Sequence, residues 1–304
     1  MHIGIIGLGR MGANMARRLA RGGAGVRVSG HDHNDSLASL LAAEPGFHPA
    51  DTLQALVASL PSPRVIWLML PAGEATQATI DATSSLLSRG DVLVDGGNAN
   101  YKDSQRRAAE LQKKGIAFVD AGVSGGVWGL ANGYCLMLGG DKDAVARVTP
   151  FVKLLAPAPD TGWLHCGAAG SGHFVKMVHN GIEYGMMQAL AEGFALLDAK
   201  KDLALDTAAI AELWRHGSVV RSWLLDLTAE ALHKNSSMAG IKPVVADSGE
   251  GRWSVDEAVS LGVPAPVIAM ALMSRFASQG KDDYAAKLLA MMRAGFGGHA
   301  VHKE

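Results

Sequence analysis

Cysteine is scarce in this chain: Cys135 and Cys166 are the two among 304 residues, and neither belongs to a Cys-x-x-Cys pair. A disulfide scaffold and a cysteine-based zinc cluster are therefore excluded. We expect both thiols to serve as small apolar fillers in a protein kept in a reducing compartment.

The chain also has neither a surplus of positive or negative charge nor a long apolar segment. Lys and Arg number 28 against 29 Asp and Glu, which gives a formal net charge of −1. Without a basic field, nucleic acid is not expected as a partner. No uncharged apolar run reaches the ~18 residues that a membrane span needs, and no basic segment precedes the first apolar residues. We therefore expect a cytoplasmic protein with no membrane partner.

What is present is enough apolar material for a core: hydrophobic residues make up 48% of the chain. In the first half, apolar runs alternate with helical patterns, which is typical of a doubly wound, mostly parallel sheet. Strands are predicted at 2–7, 25–30, 64–70, 91–95, 116–120 and 134–139, and helices at 11–22 and 102–114. Beyond the Pro-rich stretch 156–159, helices are predicted at 173–200, 206–216, 219–233, 254–261, 264–279 and 282–293. We predict an α/β Rossmann-type domain over 1–165 and an all-α domain over 166–304.

A glycine-rich motif follows the first predicted strand and opens the first predicted helix. Its residues are Gly7, Leu8, Gly9, Arg10, Met11 and Gly12, in the pattern G-x-G-x-x-G. Such glycines permit a tight turn, a close approach of a pyrophosphate and close helix packing. The helix N-terminus adds N–H donors for the anion. A glycine-rich turn without a ligand is the alternative, but the strand–turn–helix context favours a dinucleotide site.

The residue that would select the dinucleotide is Asp32, which ends the second predicted strand. A carboxylate there accepts hydrogen bonds from a ribose and repels a 2′-phosphate, so NAD is favoured over NADP. The flanking His31 and His33 keep NADP possible, because imidazolium can bind phosphate. A metal site at these three residues lacks further ligands, and we predict no metal.

One face of the first long C-terminal helix carries Lys176, His179, Asn180 and Glu183, at spacings of i, i+3, i+4 and i+7. A solvated face with an ion pair is the plain alternative. A desolvated lysine can instead act as a base, and a glutamic acid can return a proton. This set suits the removal of a hydride from an alcohol carbon.

Two loops follow predicted strands and point to the same edge of the sheet. Asn98 lies where open α/β sheets bind ligands, and we expect it to face both cofactor and substrate. The loop of Ser124, Gly125 and Gly126 can present N–H groups and a hydroxyl to a carboxylate. Ordinary turn chemistry would explain either loop alone.

Five sequence blocks resemble those of one enzyme family. They are GLGRMGAN (7–14), VDGGNANYKDSQRR (94–107), GVSGG (122–126), GHFVKMVHNGIEYGMMQ (172–188) and RAGFGGH (293–299). The chain resembles the decarboxylating 6-phosphogluconate dehydrogenases, and most closely their short form. The wider superfamily of β-hydroxyacid dehydrogenases shares the fingerprint, a similar loop and the lysine, but not the HNGIEY extension.

The resemblance implies roles for matching residues. Lys176 would remove the C3 hydroxyl proton and later return it, Glu183 would protonate C1 after carbon dioxide leaves, and Asn180 would assist. The sugar acid would be bound by Asn98, Ser124, Gly125, Gly126, His179 and Asn180. Its phosphate would be contacted by Tyr184, Arg275, Arg293 and His299. The last two would reach a neighbouring subunit, so a homo-oligomer (dimer or tetramer) with shared active sites is expected.

The chain departs from this family in a few places. The glycine-rich loop Asp247–Arg252 has no phosphate-binding lysine, and Arg252 is the candidate substitute. The cofactor arginine of the long form is absent, which supports NAD. Because Gly295, Gly297 and Gly298 disfavour a helix, the tail is expected to be an extended arm. The remaining alternatives are a non-decarboxylating enzyme such as a 3-hydroxyisobutyrate dehydrogenase and a non-catalytic dinucleotide sensor.

Overall fold

The strands of the first half assemble into one sheet in the computed structural model, which describes residues 1–23 and 25–297. Within these residues the strands are β1 His2–Ile6, β2 Arg27–His31, β3 Phe47–Pro49, β4 Val65–Leu68, β5 Val92–Asp95, β6 Ala117–Ser124, β7 Cys135–Gly140 and β8 Trp163–Gly167. The order across the sheet is β3-β2-β1-β4-β5-β6-β7-β8. The first six strands are parallel, whereas β7 runs antiparallel to β6 and β8 runs parallel to β7.

Helices connect the parallel strands and then form the second half. They are α1 Arg10–Ala20, α2 Asp35–Leu41, α3 Leu53–Ser59, α4 Glu74–Ser84, α5 Tyr101–Lys113, α6 Gly129–Asn132, α7 Lys142–Leu155, α8 Ser171–Ala199, α9 Thr207–Trp214, α10 Trp223–Lys234, α11 Glu250–Leu261, α12 Pro266–Ser278 and α13 Asp283–Gly297. The order of the first six strands is that of a Rossmann sheet, whose direction of winding reverses between β1 and β4. Ligands of such sheets bind at the carboxyl ends of the strands on either side of this reversal.

The central strands β1, β4 and β5 are buried on both faces, which explains why they are largely continuous apolar runs rather than alternating ones. Trp67 of β4 packs with Ile3 and Ile5 on one face. Its neighbours Ile66 and Leu68 pack with Leu93 of β5 on the other face. The side-chain period of two along a strand assigns consecutive residues to opposite faces.

The chain divides into two compact units, Met1–Met177 and Val178–Glu304. The first holds the sheet. The second, over its described residues, is helical, with a core of Phe194, Ala211, Leu225, Ala229 and Leu232. The predicted fold class, an α/β Rossmann-type sheet followed by an all-α part, is confirmed. A domain boundary at 165/166 remains a prediction. The sheet extends to Gly167, and α8 carries the chain from one unit into the other.

Two strands, one terminal helix and five helices of the first half (α2, α3, α4, α6 and α7) differ from the sequence prediction. The pattern predicts neither β3, which has three residues, nor β8, an edge strand that is only partly buried. Neither strand has the long apolar run that identifies a central strand. The expected extended arm is wrong up to residue 297, because α13 includes Gly295 and Gly297. Extending an existing helix forms one more hydrogen bond per residue, which offsets a glycine cost of about 1 kcal/mol.

Within residues 1–23 and 25–297, no helix is both long and apolar enough to cross a membrane.

Candidate active site

The glycine-rich motif joins β1 to α1, and its three glycines have different surroundings. A Cβ on Gly7, whose φ is +92°, would lie 2.5 Å from the Met69 carbonyl oxygen. A Cβ on Gly12 would lie 1.9 Å from the Gly7 carbonyl oxygen. A Cβ on Gly9 would meet nothing within 4 Å. The first and third glycines are therefore required by the fold, whereas the space above Gly9 is open for a ligand. This arrangement fits a dinucleotide pyrophosphate at the N-terminus of α1.

Asp32 follows β2 directly and is held against this motif. Its Oδ2 accepts from the Leu8 backbone N–H at 2.6 Å, and its Oδ1 accepts from the Asn34 N–H at 2.9 Å. The His33 ring, whose side chain is 95% exposed, lies 3.0 Å from Oδ1. The Nδ1 atom of His31 lies 2.9 Å from the Ala50 carbonyl oxygen instead. His33 is thus the more exposed of the two histidines and lies beside the Asp32 carboxylate.

Asn98 is exposed in the loop after β5, and a buried ion pair holds that loop. Asp95 accepts from the Gly97 N–H at 3.1 Å and from Arg107 Nη1 at 2.9 Å. The Asp95 side chain is 0% exposed and that of Arg107 is 1% exposed. A charge buried to this degree is stable when it is paired and hydrogen-bonded. The pair therefore fixes the backbone that presents Asn98, and the sequence analysis did not identify it.

The loop of Ser124, Gly125 and Gly126 follows β6, the strand next to β5. Ser124 is half-buried and pairs with Cys135 across the antiparallel ladder. Gly125 has φ +129° and Gly126 φ +52°, conformations that favour glycine. The parallel order of β1, β4, β5 and β6 brings this loop, the Asn98 loop and the glycine-rich motif to one edge of the sheet.

Lys176 lies on α8, and the start of this helix is anchored to β6. Asp120, fully buried in β6, accepts from the backbone N–H groups of Gly170 at 2.6 Å and His173 at 2.8 Å. These two bonds satisfy N–H groups at the helix N-terminus, where a negative charge is favourable. A Cβ on Gly122 would lie 2.4 Å from Lys176 Cβ, so the glycine lets α8 approach the strand closely.

The Lys176 side chain is half-buried and within electrostatic reach of Cys135. Partial burial of the thiol raises the pKa of Cys135, and the Lys176 ammonium opposes that shift. Cys135 itself is exposed, so the expectation of an apolar filler is wrong for this residue. Cys135 is the first residue of β7 and pairs with Ser124, the last residue of β6. It therefore lies at the carboxyl end of β6 rather than in the core.

In the second unit, His179, Asn180 and Glu183 form a polar network with a residue from another helix. Asn180 Nδ2 donates to Glu250 Oε1 at 2.8 Å. Asn180 Oδ1 lies 2.9 Å from His179 Nδ1, and Glu183 Oε2 lies 3.8 Å from the same nitrogen. Glu250 is 2% exposed. His179, Asn180 and Glu183, three of the four residues predicted from helical spacing, therefore lie together, and Glu250 is a further member that this spacing does not predict.

Tyr184 and Arg275, predicted to contact a phosphate, also lie together in the second unit. The Arg275 guanidinium stacks 3.6 Å from the centre of the Tyr184 ring. The Tyr184 hydroxyl lies 3.3 Å from Ser248 Oγ. Arg275 Nη1 donates to the Ala246 carbonyl oxygen at 2.7 Å, which fixes the guanidinium. This group can offer charged and neutral donors to an anion.

Arg252, the candidate substitute for the missing lysine, forms an ion pair with Asp247. Its guanidinium also lies 4.5 Å from the centre of the Phe276 ring. Burial alone would raise the pKa of Asp247, but the hydrogen bond from Arg252 and the nearby Arg275 charge lower it. Arg252 is thus engaged by a carboxylate of its own loop. Arg293 is exposed on α13, and His299 lies outside the described residues.

Two family models cover nearly the whole chain. The NAD binding domain of 6-phosphogluconate dehydrogenase matches residues 2–167, and the 6-phosphogluconate dehydrogenase C-terminal domain matches residues 172–300. The chain belongs to the 6-phosphogluconate dehydrogenase family. The family prediction is confirmed, and so is a nicotinamide dinucleotide as the cofactor. The C-terminal model favours this family over the non-decarboxylating alternative.

Curated relatives include NAD- and NADP-dependent enzymes. The NAD(+)-dependent, decarboxylating 6-phosphogluconate dehydrogenase of Haloferax volcanii is 42% identical over 305 residues, covering 100% of this chain and 99% of that protein. The NADP(+)-dependent, decarboxylating enzyme of Bacillus subtilis is 38% identical over 295 residues, which cover 92% of this chain and 62% of that protein. A 6-phosphogluconate dehydrogenase structure from Plasmodium falciparum superposes with a TM-score of 0.85 at 27% identity, covering 100% of this chain and 66% of that one.

Among the described residues, no group of three or more His, Cys, Asp or Glu is arranged to hold a metal ion.

Proposed function

We propose that the protein oxidises and decarboxylates 6-phospho-D-gluconate, giving D-ribulose 5-phosphate and carbon dioxide while NAD is reduced. The observation that carries this proposal is the match of both family models, over residues 2–167 and 172–300. The Haloferax volcanii relative, which the alignment covers almost completely, is named as the NAD(+)-dependent, decarboxylating enzyme, which supports the same activity here.

Lys176 and Glu183 are proposed as the acid–base pair. Lys176 Nζ takes the proton of the C3 hydroxyl while the C3 hydride leaves, which produces a 3-keto acid. The C1–C2 bond then breaks, and its electrons form the enediol as the Lys176 ammonium returns the proton to the C3 oxygen. Glu183, as a carboxylic acid, protonates the carbon that becomes C1 of the product. Both residues belong to helix α8.

Substrate binding is divided between hydroxyl and phosphate contacts. Asn180 is proposed to assist catalysis by orienting the reacting hydroxyl. The other contacts to the sugar acid are proposed for Asn98, Ser124, Gly125, Gly126 and His179. The stacked pair of Tyr184 and Arg275 is proposed to bind the phosphate, since a guanidinium held in place provides directed donors to an anion.

Cofactor binding is proposed for the glycine-rich motif, Asp32 and Asn98. When bound, the nicotinamide ring accepts the hydride that leaves C3. The open space above Gly9 suits the pyrophosphate, and the Asp32 carboxylate suits ribose hydroxyls. A 2′-phosphate would meet the same negative charge, so we propose NAD as the preferred cofactor. NADP remains usable to the extent that His33 can offset that charge.

We further propose a homo-oligomer whose active sites are shared, with Arg293 and His299 reaching a neighbouring subunit. Large apolar side chains support an interface on α12 and α13: Met270 is 64% exposed, Tyr284 81% and Met291 65%. Exposed apolar area of this kind marks contact surfaces. The free thiols of Cys135 and Cys166 accord with a cytoplasmic enzyme.

Shared sites can be tested by mixing two inactive variants, Lys176→Met and Arg293→Ala. When equal amounts of the two variants exchange subunits at random, half of the dimers are mixed, and each of these has one site with both residues intact. We therefore expect about a quarter of wild-type activity to return. No recovery after demonstrated subunit exchange would mean that Arg293 serves its own subunit.

The function itself is tested by initial rates with NAD and three substrates: 6-phosphogluconate, gluconate and 3-hydroxyisobutyrate. We expect kcat/KM to be highest for 6-phosphogluconate, because gluconate cannot use the Tyr184–Arg275 contact. A clear preference for 3-hydroxyisobutyrate would identify a non-decarboxylating enzyme instead. Binding of NAD without turnover of any hydroxy acid would identify a dinucleotide sensor.

A further inference from the structure

A buried carboxylate on α11 contacts the network that includes Asn180, although it belongs to none of the predicted sets. Glu250 is the first residue of α11, is 2% exposed and accepts the Asn180 Nδ2 hydrogen bond at 2.8 Å. A negative charge is favourable at a helix N-terminus. Because Oε1 is the acceptor in this contact, it also determines which end of the Asn180 amide faces Glu250.

This single contact orients the next two groups. With Nδ2 turned to Glu250, the amide oxygen Oδ1 faces His179 Nδ1 at 2.9 Å. An amide oxygen cannot donate, so Nδ1 must carry a proton. Glu183 Oε2 is a second acceptor, 3.8 Å from the same nitrogen, and it also favours a proton on Nδ1. In the neutral ring, Nε2 then holds the lone pair and accepts hydrogen bonds.

We propose that Glu250 is a positioning residue, which fixes the Asn180 amide and, through it, the Nδ1–H tautomer of His179. The ring then presents an acceptor at Nε2, and the ligand chemistry that it recognises is a hydroxyl that donates. This inference rests on the proposed function only for the identity of that hydroxyl, which belongs to the sugar acid.

The test replaces Glu250 by Gln, which has the same shape but can present either its oxygen or its amino group to Asn180. Imidazole ¹⁵N NMR of the protein without substrate reports the tautomer, with His179→Ala identifying the signals. We expect the wild type to show the Nδ1–H form and Glu250→Gln to show a mixture with the Nε2–H form. Asp256→Asn removes an exposed carboxylate from the same helix and should leave the tautomer unchanged.

Steady-state kinetics distinguish a positioning role of Glu250 from a general contribution to the stability of the fold. We expect Glu250→Gln to raise the KM for 6-phosphogluconate about three- to tenfold, the effect of losing one hydrogen bond between neutral groups, and to leave the KM for NAD unchanged. In an Asn180→Ala background the same substitution should add less than about twofold, because the residue it acts through is gone.

Several results would overturn the inference. They are an Nε2–H tautomer in the wild type, a Glu250→Gln variant identical to the wild type, or an equally large effect of Glu250→Gln when Asn180 is already Ala. A wild-type enzyme without activity on 6-phosphogluconate would refute the proposed function. The tautomer measurement would still decide the role of Glu250.

Discussion

Adding one methyl group at Gly122 should displace the helix that carries Lys176. A Cβ built on Gly122 lies 2.4 Å from Lys176 Cβ and 2.9 Å from the Gly172 carbonyl oxygen. Both atoms are fixed by the α8 backbone, so a side-chain rotation cannot remove the contact. Ordinary contacts of this kind begin near 3.4 Å. The helix must therefore move by about 1 Å (3.4 − 2.4 Å), unless β6 moves instead.

A displacement of that size is large for catalysis and moderate for stability. Misplacing a reacting group by about 1 Å can cost about 10²-fold in rate. Overpacking a well-filled site costs typically about 1–3 kcal/mol, which a protein with a large core can tolerate. We therefore expect Gly122→Ala to fold and to lose about 10²-fold in kcat with 6-phosphogluconate.

The assay compares steady-state kcat, the affinity for NAD measured by titration, and the melting temperature. NAD affinity should stay within about twofold of the wild type, because Gly122 lies outside the glycine-rich motif. Gly193→Ala is the matched control: it lies on the same helix, and its added Cβ meets nothing within 4 Å. It should stabilise the helix by up to about 1 kcal/mol and leave kcat unchanged. Wild-type kcat in Gly122→Ala would refute the close-approach argument.

Three further substitutions address the cofactor, the base and the loop beside the Tyr184–Arg275 pair. Lys176→Met should lower kcat at least about 10²-fold and leave the NAD titration unchanged, whereas near-full activity would exclude a role as base. Asp32→Ala should weaken NAD binding about 10- to 100-fold and NADP binding less; a wild type that already prefers NADP would contradict this. Asp247→Asn removes the partner of Arg252. Because the folded pKa of Asp247 is lowered from 3.8, its stabilisation is present above that value and is lost as the pH falls through the folded pKa. The melting temperatures of variant and wild type should therefore differ at neutral pH and converge as the pH falls below 3.8, and a difference independent of pH would contradict the ion pair.

Much of the fold was predictable because central strands and long helices leave strong patterns. The run 64–70 predicts a strand buried on both faces, and Val65–Leu68 is such a strand. Strand Trp163–Gly167 could not be recognised, since it pairs at the sheet edge and its five residues remain partly exposed. The extension of α13 through Gly297 was missed, because the low helix propensity of glycine was considered without the stable helix that leads into it.

The candidate site could be proposed from the sequence only where its residues are neighbours along the chain. The glycine-rich motif and the Lys176–Glu183 face follow from spacing alone. The carboxylates that hold these elements were missed: Asp120 is 50 residues from Gly170, and Glu250 is 70 residues from Asn180. Such long-range hydrogen bonds leave no periodic signal, and they become visible only when the topology has brought the elements together.

The measurement that tests the proposed chemistry most directly is the stoichiometry of one reaction in D₂O. The wild-type enzyme would be given NAD and 6-phosphogluconate labelled with ¹³C at C1. We predict one labelled carbon dioxide for each NADH, and a ribulose 5-phosphate that carries one solvent deuteron at C1. NADH formed without carbon dioxide would contradict the decarboxylating function, and no NADH at all would contradict the proposed substrate.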